Sequence, residues 1–332
     1  MEIYFIAPWR ELEKIQVTIA SPWKARLMSN TAAPPLLPET DEFFPGFERK
    51  RIRTSGAEIN LVVGGSGPPL ALIHGNPLTH VSWWKIAPSL ARDFTVVALD
   101  LRGYGDSSKP EGGEAHEAYS FRAMGQDVVE VMATLGHDRF SVIGHDRGAR
   151  VAYRLAVDQP GLIEKVAFLD IVPTHHVLSE VTVGWAQESY HWFFMSQKAP
   201  FPEDLLCRDL DYYMRYKLNK KGVGIEIFGE KALAEYIRCC TPEAIHAVCE
   251  DYRATLGIDF EMDSKDFGNR FVECPALVLW GDNSHVGRHF TPIETWRRYA
   301  HDVRGEAIPT GHYPAEHRPD IVYDRLWHFL KD

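Results

Sequence analysis

The chain has 332 residues, of which 25% are charged and 45% are hydrophobic, and its formal net charge at pH 7 is −10. A chain of this length can bury a substantial core as one large α/β domain or two small ones. The excess of acidic over basic side chains, 46 against 36, argues against a protein that binds nucleic acid or an anionic membrane. No apolar run in the sequence approaches the roughly 20 residues of a membrane span.

The cysteines and the N-terminal segment bear on where the protein works. Five cysteines without a C-x-x-C pair are typical of reduced thiols in a cytoplasmic enzyme, rather than of a disulfide framework or a zinc site. The N-terminal segment lacks the apolar core and the small-residue cleavage site of a secretory signal. Residues 1–42 are predicted to form a poorly ordered extension, and Met28 is an alternative start of the chain.

Folded structure is predicted to begin near Phe43, after which strands and helices alternate. The predicted strands are residues 51–53, 58–63, 70–74, 95–100, 140–144, 166–171, 276–280 and 306–309. The predicted helices are residues 79–90, a helix capped by Ser120 that runs to about Leu135, and residues 147–157, 292–300 and 319–330. Short apolar strands that alternate with amphipathic helices predict a mostly parallel sheet with helices on both faces.

Residues 173–267 interrupt this alternation. The interval is rich in tryptophan, tyrosine and phenylalanine and is predicted to hold several helices. Ligands of open α/β sheets bind at the carboxyl ends of the strands, where such an insertion would form a lid. The predicted organisation is therefore a core of residues 43–172 and 268–332 with a helical lid of residues 173–267.

The strongest local motif is Gly144-His-Asp146-Arg-Gly148, in which a predicted strand runs directly into a helix. It has the G-x-nucleophile-x-G pattern of a nucleophile elbow, with aspartate in place of the usual serine. Glycine two residues before and after Asp146 allows the sharp turn that lifts the central side chain above the sheet. A carboxylate can displace a leaving group from an sp³ carbon, which suits alkyl halides and epoxides better than esters or amides.

A second motif, His74-Gly-Asn-Pro, ends the early strand at residues 70–74. Its turn would direct the backbone N–H of Asn76 into the site, where the N–H of Arg147 would join it. Two such donors form an oxyanion hole, which is needed when water attacks an ester carbonyl. His74 itself is expected to be bonded within the turn.

A third motif is a glycine followed by His312, directly after the last predicted strand. His312 would be the base that activates water, and such a base needs a carboxylate to orient it. Asp170 and Asp282 each end a predicted strand, and either could reach the imidazole. No metal site is predicted, because His285 and His289 stand four residues apart without a third ligand.

Several stretches of the sequence form a recognisable set. They are His74-Gly-Asn-Pro, Asp100-Leu-Arg-Gly-Tyr-Gly-Asp-Ser, Gly144-His-Asp-Arg-Gly-Ala-Arg150, Leu169-Asp-Ile-Val-Pro-Thr174, Tyr190-His-Trp192, Glu250-Asp-Tyr-Arg253 and Gly311-His312. Together they resemble the haloacetate (fluoroacetate) dehalogenases, and the resemblance covers residues 43–331. The elbow and the H-G-x-P turn also occur in epoxide hydrolases and haloalkane dehalogenases. The Asp-Arg-Gly-x-Arg run, with the stretch from Leu169 and the His-Trp pair, is more specific.

The resemblance implies an α/β-hydrolase fold, with a mostly parallel twisted sheet, helices on both faces and a helical lid inserted after the sixth strand. It also implies the roles of the three reacting groups. Asp146 would be the nucleophile and His312 the base, and Asp170 would orient that base because the family takes its acid from that strand.

The same resemblance implies the ligand contacts. Arg147 and Arg150 would hold the substrate carboxylate, and His191, Trp192 and Tyr252 would donate hydrogen bonds to the departing halide. Two guanidinium groups offset the repulsion between an anionic substrate and an anionic nucleophile. An imidazole, an indole and a phenol supply donors to replace the water around a tightly hydrated fluoride.

The sequence departs from the family pattern in two places. The third residue of H-G-x-P is usually aromatic in the haloacetate enzymes and is Asn76 here. The stretch of residues 218–224 lacks a tryptophan that relatives often carry near Lys221. Both changes concern the size of the pocket and the preference for fluoride, and they leave the expected reaction class unchanged.

The sequence thus predicts the hydrolysis of haloacetates such as fluoroacetate and chloroacetate to glycolate and halide, through a covalent aspartyl ester. The expected partner is a small haloacid, with no metal, organic cofactor, nucleic acid or membrane. The protein is expected to be cytoplasmic, and the resemblance implies a homodimer.

Two other functions are left open by the sequence. An epoxide hydrolase would use the same nucleophile and base, with lid tyrosines to protonate the epoxide oxygen. Tyr190 or Tyr213 with Tyr252 could supply those hydroxyl groups, and Asp282 could be its acid. A non-catalytic receptor for a small carboxylate could keep the arginines, but it would not need the nucleophile, the base and its acid together.

Overall fold

A computed structural model of the chain describes residues 32–37, 39, 40, 42–219 and 223–332. The chain divides into two units, Met1–Pro34 and Pro35–Asp332, and the elements below belong to the second. The alternative start at Met28, most of the expected extension and Lys221 lie outside the described residues.

The strands form one mixed sheet in the order β1-β2-β4-β3-β5-β6-β7-β8. They are β1 Glu48–Arg53, β2 Glu58–Gly64, β3 Pro69–Ile73, β4 Thr95–Leu99, β5 Phe140–His145, β6 Ile163–Leu169, β7 Ala276–Gly281 and β8 Val303–Ile308. Strand β2 pairs antiparallel with β1 and β4, and the remaining neighbours are parallel. Each residue of β5 is buried, as expected for a central strand covered on both faces.

The helices cover the sheet and fill the long interval between β6 and β7. They are α1 Ala87–Leu90, α2 Phe121–Thr134, α3 Arg147–Asp158, α4 Thr174–Ser179, α5 Val183–Glu188, α6 His191–Met195, α7 Phe201–Leu206, α8 Leu210–Leu218, α9 Gly229–Cys239, α10 Pro242–Ala254, α11 Phe260–Asp266, α12 His285–His289, α13 Pro292–Trp296, α14 Pro314–His317 and α15 Pro319–Lys331. Ser120 caps α2 by accepting a hydrogen bond from the N–H of Ala123. None of the described helices is long and apolar enough to cross a membrane.

Helices α4–α11 form an insertion that follows the sixth strand. A single π-helical turn, Thr255–Asp259, joins α10 to α11 within it. The mostly parallel sheet, the helices on both faces and the place of this insertion are those predicted from the sequence.

One helix prediction is wrong. Residues 79–90 are not a continuous helix but a 3₁₀ turn, His80–Trp83, followed by the four-residue helix α1. Thr79 accepts a hydrogen bond from the N–H of Val81, and the His80 ring pairs with Asp100 of the sheet at 2.9 Å. These contacts fix a tight turn, which the apolar spacing of the segment does not reveal.

Candidate active site

The nucleophile elbow lies between β5 and α3, at the carboxyl edge of the sheet. The backbone of Asp146 has φ 49°, a conformation that residues other than glycine rarely adopt and that tertiary contacts must enforce. Gly148 permits the close approach of α3 to β3, because a Cβ there would lie 2.3 Å from the carbonyl oxygens of Ile73 and His74. The turn therefore presents the Asp146 carboxylate above the strand ends.

The carboxylate of Asp146 is already held by the expected oxyanion turn. Its Oδ1 accepts a hydrogen bond from the backbone N–H of Asn76 at 2.9 Å. The turn is stabilised by His74, whose Nδ1 contacts the Gly75 carbonyl at 2.9 Å and whose Nε2 accepts from the N–H of Leu101 at 3.1 Å. Arg147, the other expected donor, begins α3.

His312 lies between Asp146, the expected nucleophile, and the buried carboxylate of Asp170. Its Nε2 lies 3.6 Å from Asp146 Oδ2, and its Nδ1 lies 2.6 Å from Asp170 Oδ2. The interaction with His312 holds the pKa of Asp146 well below its usual range, although burial opposes that shift. Asp146 is therefore ionised at neutral pH, as the expected role of nucleophile requires. Asp282, the alternative acid, is exposed at the end of β7.

Two backbone contacts fix the orientation of this acid and base. The other oxygen of Asp170 accepts the N–H of Gly281 at 2.9 Å. The Nε2 of His145, next to the nucleophile, contacts the carbonyl oxygen of His312 at 2.7 Å. Burial lowers the pKa of His145 to about 4, so this ring is neutral and donates the bond from Nε2.

Arg150 is a buried cation that has no carboxylate within ion-pair distance among the described residues. Its Nη1 donates to the Val172 carbonyl at 3.1 Å and to Thr174 Oγ1 at 3.0 Å, while its Nε is buried without a hydrogen-bond partner. Burial, and then the nearby charge of Arg147, lower its pKa to about 10. An anion placed beside this guanidinium would offset the free-energy cost of burying its charge.

Arg147 is also buried, but the structure pairs it with a carboxylate. Its Nε donates to Asp251 Oδ2 at 3.0 Å, and its Nη2 contacts the other oxygen of Asp251 and the hydroxyl of Thr255. Only its Nη1 is buried without a hydrogen-bond partner. Arg147 thus has one NH2 group without a partner, at Nη1, rather than the whole guanidinium that the sequence suggests for the substrate.

The three expected halide contacts come together beside these arginines. The ring of Tyr252 lies 5.6 Å from that of His191 and 6.0 Å from that of Trp192. The guanidinium of Arg147 lies 4.3 Å from the Tyr252 ring centre, and that of Arg150 lies 4.7 Å from the Trp192 ring centre. Contacts between these cations and rings place the three aromatic side chains beside the arginines that are expected to hold the carboxylate.

Asn76 has a second contact that the sequence does not reveal. Its side-chain Nδ2 donates a hydrogen bond to the hydroxyl of Tyr252 at 3.1 Å. Because the hydroxyl oxygen accepts this bond, its own proton can point to another acceptor.

A cavity of about 410 Å³ opens beside the base. It is bordered by His312 and His191 and by residues of the insertion, among them Tyr190 and Tyr213. Tyr190 is half exposed, and the hydroxyl of Tyr213 lies 3.9 Å from the sulfur of Met195. These two tyrosines, which an epoxide hydrolase could use, therefore border the approach to the site.

One group of side chains has the composition of a metal site. Ligand atoms of Asp170, His285 and His312 lie within 4.8 Å of one another. Asp170 and His312 already share the 2.6 Å hydrogen bond, which a metal would have to displace. His289, the residue that the sequence pairs with His285, is not part of this group.

Sequence reasoning missed the residues that hold Arg147. Asp251 and Thr255 belong to the end of α10 and the following turn, and Tyr104 supports Asp251 from the loop after β4. The only sequence signal is the Glu250-Asp-Tyr-Arg stretch, in which the family resemblance implies a function, halide binding, for Tyr252 alone.

Comparison with known proteins agrees with the fold and the resemblance. Residues 68–316 match the family model of the alpha/beta hydrolase fold. A fluoroacetate dehalogenase from Burkholderia sp. is 43% identical over 87% of this chain and 95% of its own length. A soluble epoxide hydrolase from Corynebacterium sp. (strain C12) is 32% identical over 83% of this chain and 94% of its own. A solved structure from Nostoc sp. PCC 7120 has 49% identity and a TM-score of 0.85, covering 87% of this chain and 99% of its own.

These matches, with the eight-stranded sheet and the aspartate elbow, define an α/β hydrolase. The chain belongs to that family and, within it, to the group of the fluoroacetate dehalogenases. The resemblance and the fold predicted from the sequence are confirmed.

Proposed function

We propose that this protein hydrolyses haloacetates to glycolate and halide through an ester on Asp146, with the insertion as a lid. One observation carries the proposal: Arg150 Nε and Arg147 Nη1 are buried near the nucleophile without hydrogen-bond partners. Buried guanidinium N–H groups are costly unless an anion accepts them. A small carboxylate is the anion that these groups fit.

In the first step, an oxygen of Asp146 attacks the α-carbon of the haloacetate. The new C–O bond forms as the carbon–halogen bond breaks, and the halide leaves with the bonding electron pair. Arg150 and the free N–H of Arg147 hold the substrate carboxylate, so that its charge is offset close to the anionic nucleophile. The ionised state of Asp146, favoured by His312, supplies the attacking electrons.

Departure of the halide is assisted by His191, Trp192 and Tyr252, which lie together over the arginines. Fluoride needs several short donors, because it gives up a tightly held water shell. The bond from Asn76 to the Tyr252 hydroxyl supports this role, since it leaves the phenolic proton available for the halide.

In the second step, water attacks the ester carbonyl of Asp146. His312 accepts a proton from that water, and Asp170 stabilises the resulting imidazolium. The backbone N–H of Asn76 stabilises the oxyanion, as its bond to Oδ1 already indicates. The intermediate then collapses as the imidazolium returns its proton to the departing glycolate oxygen. The second proton of the water is released to solvent, so the Asp146 carboxylate is regenerated with one oxygen from water.

Epoxide hydrolysis is the second candidate. The 32% identical epoxide hydrolase relative and the two tyrosines at the cavity favour it. A neutral epoxide, however, would leave the buried charge of Arg150 without a counter-ion. Haloacetates therefore fit the site better.

The test measures free halide by ion chromatography after separate incubations with fluoroacetate and chloroacetate. The wild-type protein is expected to release halide, and an Asp146→Ala variant is expected to release none. Single turnover in ¹⁸O-water should label Asp146 before glycolate, because the ester oxygen comes from the enzyme. A folded wild-type protein that releases neither halide but opens epoxides would replace the proposal with the second candidate.

A homodimer and a cytoplasmic location remain predictions from the resemblance and the cysteines. Sedimentation velocity of the purified protein would show a single species near twice the 37.8 kDa chain mass if the dimer is right.

A further inference from the structure

The pairing of Arg147 with Asp251 crosses the boundary between the sheet and the insertion. Arg147 begins α3, beside the nucleophile, and Asp251 lies near the end of α10. Both side chains have no solvent exposure, and Nε and Nη2 both donate to the carboxylate. Two-point contact of this kind fixes the plane of a guanidinium as well as its position.

Two hydroxyl groups complete the contact. Tyr104 donates to Asp251 Oδ2 at 2.6 Å, and Thr255 accepts from Arg147 Nη2 while donating to the Asp251 carbonyl at 2.8 Å. Arg147 Nη2 also contacts that same carbonyl at 3.1 Å. The carboxylate of Asp251 is thereby held by Arg147 and Tyr104, and its backbone carbonyl by Thr255 and Arg147, which is more support than a simple ion pair requires.

The nearest competitor for Arg147 is the nucleophile itself. Asp146 precedes Arg147 in the chain, and the charge of Arg147 already lowers the pKa of Asp146. A guanidinium free to turn in this buried site would form hydrogen bonds with Asp146, because Coulomb attraction is strong where water is excluded. Such bonds would occupy the lone pairs that attack carbon, and substrate would have to break them.

We propose that Asp251 is a positioning residue that holds Arg147 away from the nucleophile and leaves only Nη1 for the substrate. Asp251 also neutralises Arg147, so that Arg150 supplies the net positive charge of the carboxylate site. Tyr104 keeps Asp251 in place for this task. The inference rests on the proposed ester mechanism, and it adds residues that act on the nucleophile through Arg147.

The experiment measures ester formation alone. In a His312→Asn background the carboxymethyl ester of Asp146 is expected to accumulate from chloroacetate, and intact-protein mass spectrometry follows its growth. Adding Asp251→Asn should lower the first-order rate constant at saturating substrate at least about tenfold, because Arg147 then binds Asp146. Adding Glu250→Gln is the control, since Glu250 is the buried neighbour on α10 that pairs with Arg253 and His116.

A merely structural role would lower the final amount of ester and leave its rate constant unchanged. Equal rate constants for the Asp251→Asn and Glu250→Gln proteins would therefore overturn the inference. If Asp251→Asn does not fold, Tyr104→Phe decides, because it keeps the ion pair and is expected to slow ester formation about threefold. A Tyr104→Phe rate equal to that of the control would also overturn it. Absence of ester in the His312→Asn protein itself would instead contradict the proposed function.

Discussion

Arg150 and Arg154 lie one turn apart on α3, and both are buried, yet their surroundings differ. Arg154 contacts three carboxylates, Asp158 and Asp266 at 2.7 Å and Asp263 at 3.2 Å. Arg150 has only a carbonyl and a hydroxyl group as acceptors. The charge of Arg154 is balanced by carboxylates of the fold, although its Nε also has no hydrogen-bond partner, whereas the charge of Arg150 has no carboxylate partner among the described residues.

This difference predicts opposite effects of two matched substitutions. Arg150→Met should raise the free energy of unfolding by about 1 kcal/mol, because it removes a buried charge without an ionic partner. It should also lower kcat/KM for chloroacetate at least about a hundredfold. Arg154→Met should instead lower the free energy of unfolding by about 3 kcal/mol and leave catalysis nearly intact. Urea unfolding and chloride release measure both effects, and a destabilised Arg150→Met protein would contradict the argument.

The contact between Asn76 and Tyr252 predicts a coupling between two substitutions. Asn76→Ala should reduce fluoride release about fivefold more than chloride release, because the Tyr252 proton is no longer directed to the smaller ion. In a Tyr252→Phe protein the same Asn76→Ala change should add little, since the hydroxyl group is gone. Initial rates with the two haloacetates complete the double-mutant cycle. Additive effects would show that Asn76 acts independently of Tyr252.

At the scale of the elements, the motif-bearing turns of the site could be predicted and their long-range supports could not. The elbow, the Asn76 turn and the His312 loop are each contained in a few consecutive residues after a strand. Asp251 meets Arg147 across 104 positions of sequence, and no local pattern reports such a contact. The central strands were predictable because each is a short apolar run that is buried on both faces, whereas the edge strands β1 and β8 are charged and largely accessible.

The failed helix at residues 79–90 has a related cause. Its apolar spacing suits a helix, but the segment packs simultaneously against the sheet, against the segment that follows His312 and against the insertion. Trp84 and Lys85 both contact Glu316 of α14, and Lys85 also reaches the carbonyl of Ile227. Burial on several sides satisfies the apolar residues without a helix, and tertiary contacts outweigh the local propensity.

Glu316 joins α14, which follows the base, to α9 of the insertion through the hydroxyl of Tyr236. Burial raises the pKa of Glu316 to about 7, although Lys85 opposes the shift. The folded state thus binds a proton more tightly than the unfolded state, and this contribution to stability is lost as the pH rises through 7.

A pH series tests this element. The free energy of unfolding of the wild-type protein is expected to fall from pH 5 to pH 8 by about 2 kcal/mol more than that of Glu316→Gln. The variant keeps one side-chain carbonyl, for Tyr236 or for Trp84, which donate to different oxygens of Glu316, and it has no proton to lose. Urea unfolding at the two pH values measures the difference. Parallel pH profiles for the two proteins would show that Glu316 does not titrate in this range.

At the scale of the whole molecule, the site is assembled from the sheet and from the insertion together. The core contributes Asp146 and Asp170, which follow two central strands, and Arg150 on α3, and the insertion contributes Asp251 and the expected halide contacts. A ligand that fills this site bridges both parts, so its binding should stabilise the entire fold.

Because a bound ligand contacts both the core and the insertion, it should raise the thermal midpoint of unfolding of a variant that binds substrate but cannot form the ester. Chloroacetate at a hundred times its dissociation constant should raise the free energy of unfolding of the Asp146→Asn protein by about 2.7 kcal/mol. This corresponds to a rise of roughly 5 °C in its thermal midpoint. The neutral analogue chloroacetamide at the same concentration should give little change, since it lacks the charge that Arg150 requires. Differential scanning calorimetry measures the midpoints. An undiminished chloroacetate shift after adding Arg150→Met would place the carboxylate elsewhere.

The insertion is bound to the core on two sides of the candidate site. Asp251 of α10 binds Arg147, beside the expected nucleophile, and Tyr236 of α9 binds Glu316 of α14, the helix that follows His312. Moving these helices would break both contacts. We therefore expect the lid to stay closed during the reaction, and small anions to enter and leave between side chains at its edge. We expect the rates at which substrate enters and halide leaves to depend on the side chains that border the cavity. Substitutions there could change the turnover number without changing the reacting groups.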